Sequence, residues 1–378
     1  MKSMSLEIHT VHSRQQEKQF LNLPWSLYKH DPHWVPPLRG NQRQLCGFAK
    51  HPFYRNAESQ AFLAQREGRV VGRVLAVSNR AHNNYHDDKL GFFGFFESVD
   101  DAEVSQGLLS AAEDYLKGRG LESIRGPVNP SMNYECGLLV DSFQSPPVFM
   151  MTYNPPYYGR LIEQAGFEKS HDLYAYLGSA EMLELNEKRW EFIRKKLGEK
   201  IRFAMRAMER PRFDEEMRGF LDVYNQALVG SWGFVPITPA EITHMASGLK
   251  QLIAPELTAV VEVDGKRAGV AFGILDYNPR IKQIDGRLFP FGFLRLLRNR
   301  KAIKRMRMIS ANVLPEFQGN KGMGLALFCS LIPAIRDWGI QQCEFSWVLE
   351  SNQFSRATLE RCGTQLYKTY RIYDKRIV

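Results

Sequence analysis

Cysteine is scarce in this chain and follows no binding pattern. The five cysteines (Cys46, Cys136, Cys329, Cys343 and Cys362) are odd in number and scattered, without the close pairs of a metal site or a disulfide framework. Long apolar runs are missing too. The segment from Met1 to Ser13 lacks the apolar core of a signal peptide, and no stretch approaches a membrane span in length. These absences point to a reduced, cytoplasmic chain. Histidines are present but poorly placed for metal. His82 and His86 are four apart beside Asp87 and Asp88, which on a helix would put both imidazoles on one face. The surrounding Asn83, Asn84 and Tyr85 read as loop, and neither His30 nor His33 supplies an obvious third ligand. No metal site is expected.

What is present fits a folded protein of two domains. The length of 378 residues, 44% hydrophobic and 24% charged, suffices for two cores. Lysine and arginine number 50 against 41 acids, a net charge of +9 that favours an anionic partner. The excess is concentrated. Arg295, Arg298, Arg300, Lys301, Lys304, Arg305 and Arg307 stand in one stretch without an acid between them. Directly before it come Leu288, Phe289, Phe291, Phe293, Leu294, Leu296 and Leu297. Apolar and basic residues are thus segregated along the chain over 289–307, not on two faces of a helix. An apolar plug with a basic collar suits an anionic bilayer surface. A core-packing segment followed by a solvated charge run is the alternative.

The chain reads as one α/β plan carried out twice. The first half gives a strand at 6–11, a helix at 15–28, a hairpin at 60–66 and 70–77, and an aromatic strand at 91–97. A helix at 101–118 capped by Ser98 or Asp100, a strand at 124–128, a helix at 156–165 and a strand at 173–177 follow. The second half repeats the order: strand 201–208, helix 215–228, hairpin 258–263 and 267–274, strand 306–313, helix 324–338, strand 342–348, helix 353–362 and strand 366–373. Two domains are expected, 1–180 and 181–378, joined through the charged segment 188–199.

The most informative tract is Val313-Leu314-Pro315-Glu316-Phe317-Gln318-Gly319-Asn320-Lys321-Gly322-Met323-Gly324, a strand end, a Gly-rich turn and a helix start. Glycines there let backbone N–H groups approach a ligand, and a helix start favours a phosphate. Lys321 adds a full charge. The tract resembles the acyl-CoA loop of the GNAT superfamily of N-acyltransferases, and the order of elements is that of its mixed, mostly antiparallel sheet flanked by helices. Asn133-Tyr134-Glu135-Cys136-Gly137 and Trp232-Gly233-Phe234-Val235-Pro236 further resemble tandem-GNAT bacterial proteins that include ceramide-synthase-like N-acyltransferases. The sequence departs from the superfamily pattern in two places. Gly319 stands where Gln or Arg is usual, with Gln318 one place earlier, and Leu359 stands where many relatives carry a catalytic Tyr.

The resemblance assigns the second half to acyl-CoA. It implies cofactor contacts at Ala311, Asn312, Val313, Gln318, Gly319, Lys321, Gly322, Met323, Gly324 and Asn352. Glu350 is the first choice for general base and Glu344 the second. Tyr370 is taken as the acid from among Tyr367, Tyr370 and Tyr373. In the first half, Glu97, Asp100, Asp101 and Glu103 occupy the corresponding helix start and would repel phosphate. That half is therefore expected to be a degenerate copy on the acceptor side. Asn129, Asn133, Glu135, Tyr153 and Tyr158, with Trp347, are its candidate pocket residues.

The expected function is acyl transfer from acyl-CoA to an amine. A sphingoid-like lipid amine at the inner membrane surface fits the plug and collar. The alternatives are acetyl transfer to a small or protein amine, and a CoA- or lipid-binding protein whose chemistry has decayed. Nucleic acid is not expected as a partner, because a pyrophosphate loop would then be superfluous.

Overall fold

A computed structural model describes residues 5–185, 191–192, 195–196, 198–199, 202–318 and 322–377. The chain forms two compact units. The first comprises Met1–Leu173, Asn278–Gly292 and Lys368–Val378; the second comprises Tyr174–Tyr277 and Phe293–Tyr367. Half of the charged segment 188–199 lies outside the described residues.

The first unit begins with strand β1 (Leu6–Thr10) and the helix Arg14–Leu27. Ser13 and Gln16 close a capping box at the start of that helix. The hairpin of β2 (Ala57–Arg66) and β3 (Arg69–Asn79) turns through Glu67 and Gly68 at φ 53° and 73°, the left-handed pair that a two-residue turn requires. Next come β4 (Leu90–Ser98), the helix Ala102–Lys117 and β5 (Ser123–Gly126). Asp101 caps this helix, accepting from the N–H groups of Glu103 and Val104; Ser98 and Asp100, the expected caps, do not. Strand order is β1-β2-β3-β4-β5 followed by the C-terminal strand Gln365–Arg376. All pairs are antiparallel except β4 with β5.

Alternation along β3 decides what each face of this sheet meets. Val74 and Ala76 pack with Val104, Leu108, Leu109, Ala112 and Leu116 of the helix Ala102–Lys117 in one core. Arg73, on the opposite face, donates to the carbonyl of Phe20 at 2.7 Å. The short strands β6 (Val128–Asn129), β7 (Glu135–Cys136) and β8 (Leu138–Leu139) then lead to the helix Tyr158–Gln164 and to β9 (Glu168–Ser179).

The second unit repeats the order with β10 (Phe203–Arg206), the helix Phe213–Ala227, and the hairpin of β11 (Thr258–Val263) and β12 (Lys266–Leu275). The hairpin turns through Asp264 and Gly265 at φ 50° and 76°, as in the first unit. Strands β13 (Arg305–Val313) and β14 (Gln342–Leu349), the helix Gln353–Arg361 and β15 (Gln365–Arg376) complete it. Order is β10-β11-β12-β13-β14, antiparallel except for β13 with β14. Each unit is thus a mixed, mostly antiparallel sheet flanked by helices.

Two elements differ from the sequence reading. Residues 324–338 form two helices, Met323–Cys329 and Ile332–Trp338, because Pro333 removes a donor and starts a new helix. Residues 80–86 are helical, not loop. Asn79 caps them through the His82 N–H, and His82 is buried beneath Phe92. Among the described residues no helix is long and apolar enough to cross a membrane.

Leu108 is sealed from solvent in the first core. Leu108→Ala should lower stability by about 2–5 kcal/mol, read as a reduced denaturation midpoint.

Candidate active site

Strands β13 and β14 run side by side only part of the way. Their parallel register goes from Arg305↔Gln342 to Met308↔Phe345 and stops, although β13 continues to Val313 and β14 to Leu349. The cause is visible on the other edge of β13. Phe272 faces Ser310 but Gly273 faces Met308, so Ile309 is an extra, bulged residue. A bulge bends its strand and increases its twist, which here turns β13 away from β14. Residues 309–313 consequently have no strand on that edge among the described residues. Ala311 is exposed, Asn312 is half-buried and Val313 is buried.

The edge leads into a short helical turn, Pro315–Gln318. Gln318 folds back and donates to the Val313 carbonyl at 3.0 Å. Gly319 and Lys321 lie outside the described residues. Gly322 has φ 120°, which a side chain would strain, and among the described residues no side chain caps the helix Met323–Cys329 that follows. Met323 is buried. Among the described residues, a Cβ at Gly324 would find only Val313 Cγ2, at 3.9 Å. Asn352 accepts from the Ser355 N–H at 3.0 Å and so acts as a helix cap.

The two candidate carboxylates differ sharply. Glu350 is half-buried in the turn beyond β14, and its backbone carbonyl accepts from Arg356 at 2.9 Å. Glu344 is fully sealed and accepts from the Tyr367 hydroxyl and from Ser346 Oγ at 2.6 Å. Arg305 lies 3.7 Å from Glu344 and donates to the Tyr367 oxygen at 3.1 Å. Arg307, 5% exposed, donates to Ser346 Oγ at 2.8 Å. Burial foremost, and then the charge of Glu344, pushes the adjacent Cys343 thiol up, which leaves it an inert packing group. Tyr370 is fully buried in the first unit, paired with Leu139 and packed on Gly137.

The sequence named Glu344 and Tyr367 but missed the arginines beside them, because Arg305 and Arg307 stand in a basic run. They are strand residues, and alternation from the strand's first residue is the signal that could have found them. Two other members of the run are also engaged. Arg300 donates to the carbonyls of Leu252 and Ile253, and Lys304 to that of Trp338.

The first unit contains the same break and fills it. Pairing of β4 with β5 ends at Phe92↔Arg125, and a register shift between Arg73 and Leu75 sets Phe95 out at φ 49°. The chain after β5 then crosses the gap. A Cβ on Gly94 would sit 1.7 Å from the Val128 carbonyl oxygen, and Asn129 Oδ1 accepts from the Phe95 N–H at 2.6 Å. Helix capping is internal as well. Arg66 pairs with Asp101 and Glu103, and its hydrogen bond holds the Asp101 carboxyl below the ordinary range.

Of the candidate pocket residues, Asn129 pairs with Glu135 across β6 and β7. Asn133 is half-buried, its N–H donating to Ser131 Oγ at 3.3 Å. Tyr153 donates to Asp31 at 2.8 Å, with burial raising its phenol pKa. Tyr158 donates to Glu97 at 2.7 Å, as Tyr28 does at 2.8 Å. Burial raises the Glu97 carboxyl, opposed by Arg73, 3.4 Å away. Trp347 stands half-buried on the splayed end of β14.

No family model matches the chain. "Bacterial ceramide synthase" of Caulobacter vibrioides is 35% identical over 379 residues, covering 98% of this chain and 97% of that protein. "Protein YghO" of Escherichia coli is 33% identical over 378 residues, covering 98% and 95%. Among solved structures, a tandem GNAT protein from the clavulanic acid biosynthesis pathway superposes with TM-score 0.57 at 12% identity, covering 99% of both chains. A GCN5-related N-acetyltransferase from Sphaerobacter thermophilus gives 0.54 at 13% identity, covering 98% and 96%.

The two strand breaks should respond differently to one methyl group. Gly94→Ala should destabilise the protein by about 1–3 kcal/mol or more, since backbone blocks the new atom. Gly324→Ala should leave stability unchanged or raise it by up to about 1 kcal/mol, because alanine suits a helix better. Paired thermal melts check both.

Proposed function

Because this chain belongs to the family that holds the Caulobacter bacterial ceramide synthase and Escherichia coli YghO, and has a tandem GNAT fold, we propose that it transfers an acyl group from acyl-CoA to an amine. The observation that carries this reading is the open edge of β13 at 309–313, running into a glycine turn with room at Gly324. Unpaired backbone groups on that edge suit an amide-bearing chain such as pantetheine. The turn and the uncapped helix start suit its pyrophosphate, with Gly322, Gly324 and Lys321 as the binding residues. The first unit would take no such ligand, since Val128 and Asn129 fill its gap and Asp101 caps its helix.

A bound thioester supplies an activated acyl carbon and a thiolate leaving group. This chain's residues then have two proton tasks. The amine must lose one, and Glu350, at the open end of β14, is assigned that role through a water. The thiolate must gain one, and Tyr367 is assigned that role in place of Tyr370, which is sealed from solvent. Glu344 and Arg305 hold the Tyr367 hydroxyl in position.

A hydrophobic amine of the sphingoid type is the acceptor we favour, acylated at a membrane surface. The Caulobacter relative's name supports this, as does the exposure of Phe289, Phe291, Phe293 and Leu294, at 85%, 73%, 43% and 53%. Arg295, Arg298, Lys301 and Lys304 are the exposed cations of the neighbouring basic run. Acyl-CoA supplied with a panel of lipid, small and peptide amines tests the assignment by product mass. No product from any amine would favour a binding protein.

Gly324→Asp should abolish CoA binding by calorimetry with melting temperature little changed, because the carboxylate would face the pyrophosphate. Undiminished affinity in the folded variant would remove the donor site from the second unit. Tyr367→Phe and Glu350→Gln should each lower turnover by about 100- to 10,000-fold with CoA affinity kept, and a change below about threefold takes that side chain out of the chemistry.

A further inference from the structure

The first unit holds a second feature that acyl transfer does not use. Between the helices Arg14–Leu27 and Arg39–Leu45 lies a cleft of about 390 Å³ lined by Arg14, Lys18, Arg39, Arg43, Glu17 and Trp25. Its cations come as two pairs, Arg14 with Lys18 and Arg39 with Arg43, each four apart and so on one face of its helix.

Two acids answer these four cations. Asp285 takes Arg39 at 2.8 Å and Glu17 takes Arg43 at 3.7 Å. Arg14 and Lys18 are exposed, and among the described residues neither meets an acid. The cleft therefore keeps a surplus of positive charge, beside an indole that Arg39 covers at 3.8 Å.

One wall of the cleft is tied to the exposed aromatic segment. Trp25 Nε1 donates to Asp285 at 2.5 Å, and the Arg39 N–H donates to the Gly286 carbonyl at 3.1 Å. From Gly286 the chain reaches Phe289 in three residues, a span of at most about 10 Å. The turn that carries Phe289 and Phe291 is closed tightly, for a Cβ on Gly292 would stand 1.9 Å from the Arg287 carbonyl oxygen. The segment that carries two exposed phenyl rings is thus joined to one wall of the cleft through Asp285 and Gly286.

We propose that this cleft binds the phosphate of an anionic phospholipid headgroup while Phe289 and Phe291 enter the acyl region beside it. Charge complementarity selects the phosphate, and the adjacent aromatic turn selects a lipid over a free anion. The proposal rests on the membrane-surface reading given above and shares its Phe289 and Phe291, but takes its cations from different residues.

The test is sedimentation at low salt with vesicles of phosphatidylcholine alone or mixed with phosphatidylglycerol. Wild type should sediment only with the mixed vesicles. Arg14→Glu with Lys18→Glu should weaken that binding more than about tenfold without changing the melting temperature or turnover on a soluble amine. Arg295→Glu with Arg298→Glu serves as a comparison in the second unit. Equal binding by wild type and the Arg14/Lys18 variant overturns the headgroup site and leaves the membrane reading standing. Failure of wild type to bind mixed vesicles overturns both. Trp25 fluorescence separates the sources of phosphate: dihexanoyl-phosphatidylglycerol below its micelle concentration should change it, and inorganic phosphate should not. An equal response to both overturns the lipid assignment.

Discussion

A single extra residue governs the second unit. Ile309 bulges out of the ladder between β12 and β13, and from there β13 no longer follows β14. Among the described residues no strand pairs with that edge over 309–313, and of its backbone groups the Val313 carbonyl is met by Gln318. Unpaired groups of this kind are tolerable only where water or a ligand satisfies them. The glycines at 322 and 324 then matter because they stand where that edge ends, and the Tyr367 cluster matters because Glu344 lies just before the divergence. In the first unit the bulge at Phe95 creates the same deficit, and the side chain of Asn129 meets it by accepting the Phe95 N–H. The same break in two sheets thus has two outcomes, one closed by the chain and one left open.

Much of this was legible from residue order alone. Alternation and glycine turns located the hairpins, since Glu67-Gly68 and Asp264-Gly265 need left-handed backbone whatever surrounds them. The duplicated plan and the acidic start of the helix Ala102–Lys117 were also readable, because capping is a local interaction. The cap itself was misread as Ser98 or Asp100 in place of Asp101, and the helix Arg80–His86 was missed. Histidine and asparagine are weak helix formers, and that turn exists because His82 is buried, a tertiary effect that overrides propensity.

What the residues could not reveal was pairing across long separations. Tyr367, Tyr370 and Tyr373 share one strand, and sequence has no means of telling which reaches a carboxylate. Alternation sets Tyr367 and Tyr373 on one face and Tyr370 on the other, yet Tyr367 meets Glu344 in the second unit and Tyr373 meets Glu163 in the first. Arg305 and Arg307 were hidden for a related reason. A run of basic residues looks like solvated surface until a strand sends every second side chain inward.

The placement of residues 278–292 bears on how the duplicated chain is inherited. This segment follows β12 of the second copy, yet it is part of the first compact unit, where Asp285 engages Trp25 and Arg39. The C-terminal residues do likewise, setting Tyr373 against Gly126. Two copies that had remained whole could be cut apart and each keep its fold. Here the first copy completes its structure with chain encoded in the second, so a break at the midpoint would deprive it of both a strand and an anchored loop. The repeat in element order is therefore not a repeat of self-sufficient parts, because the first unit is built from both halves of the chain.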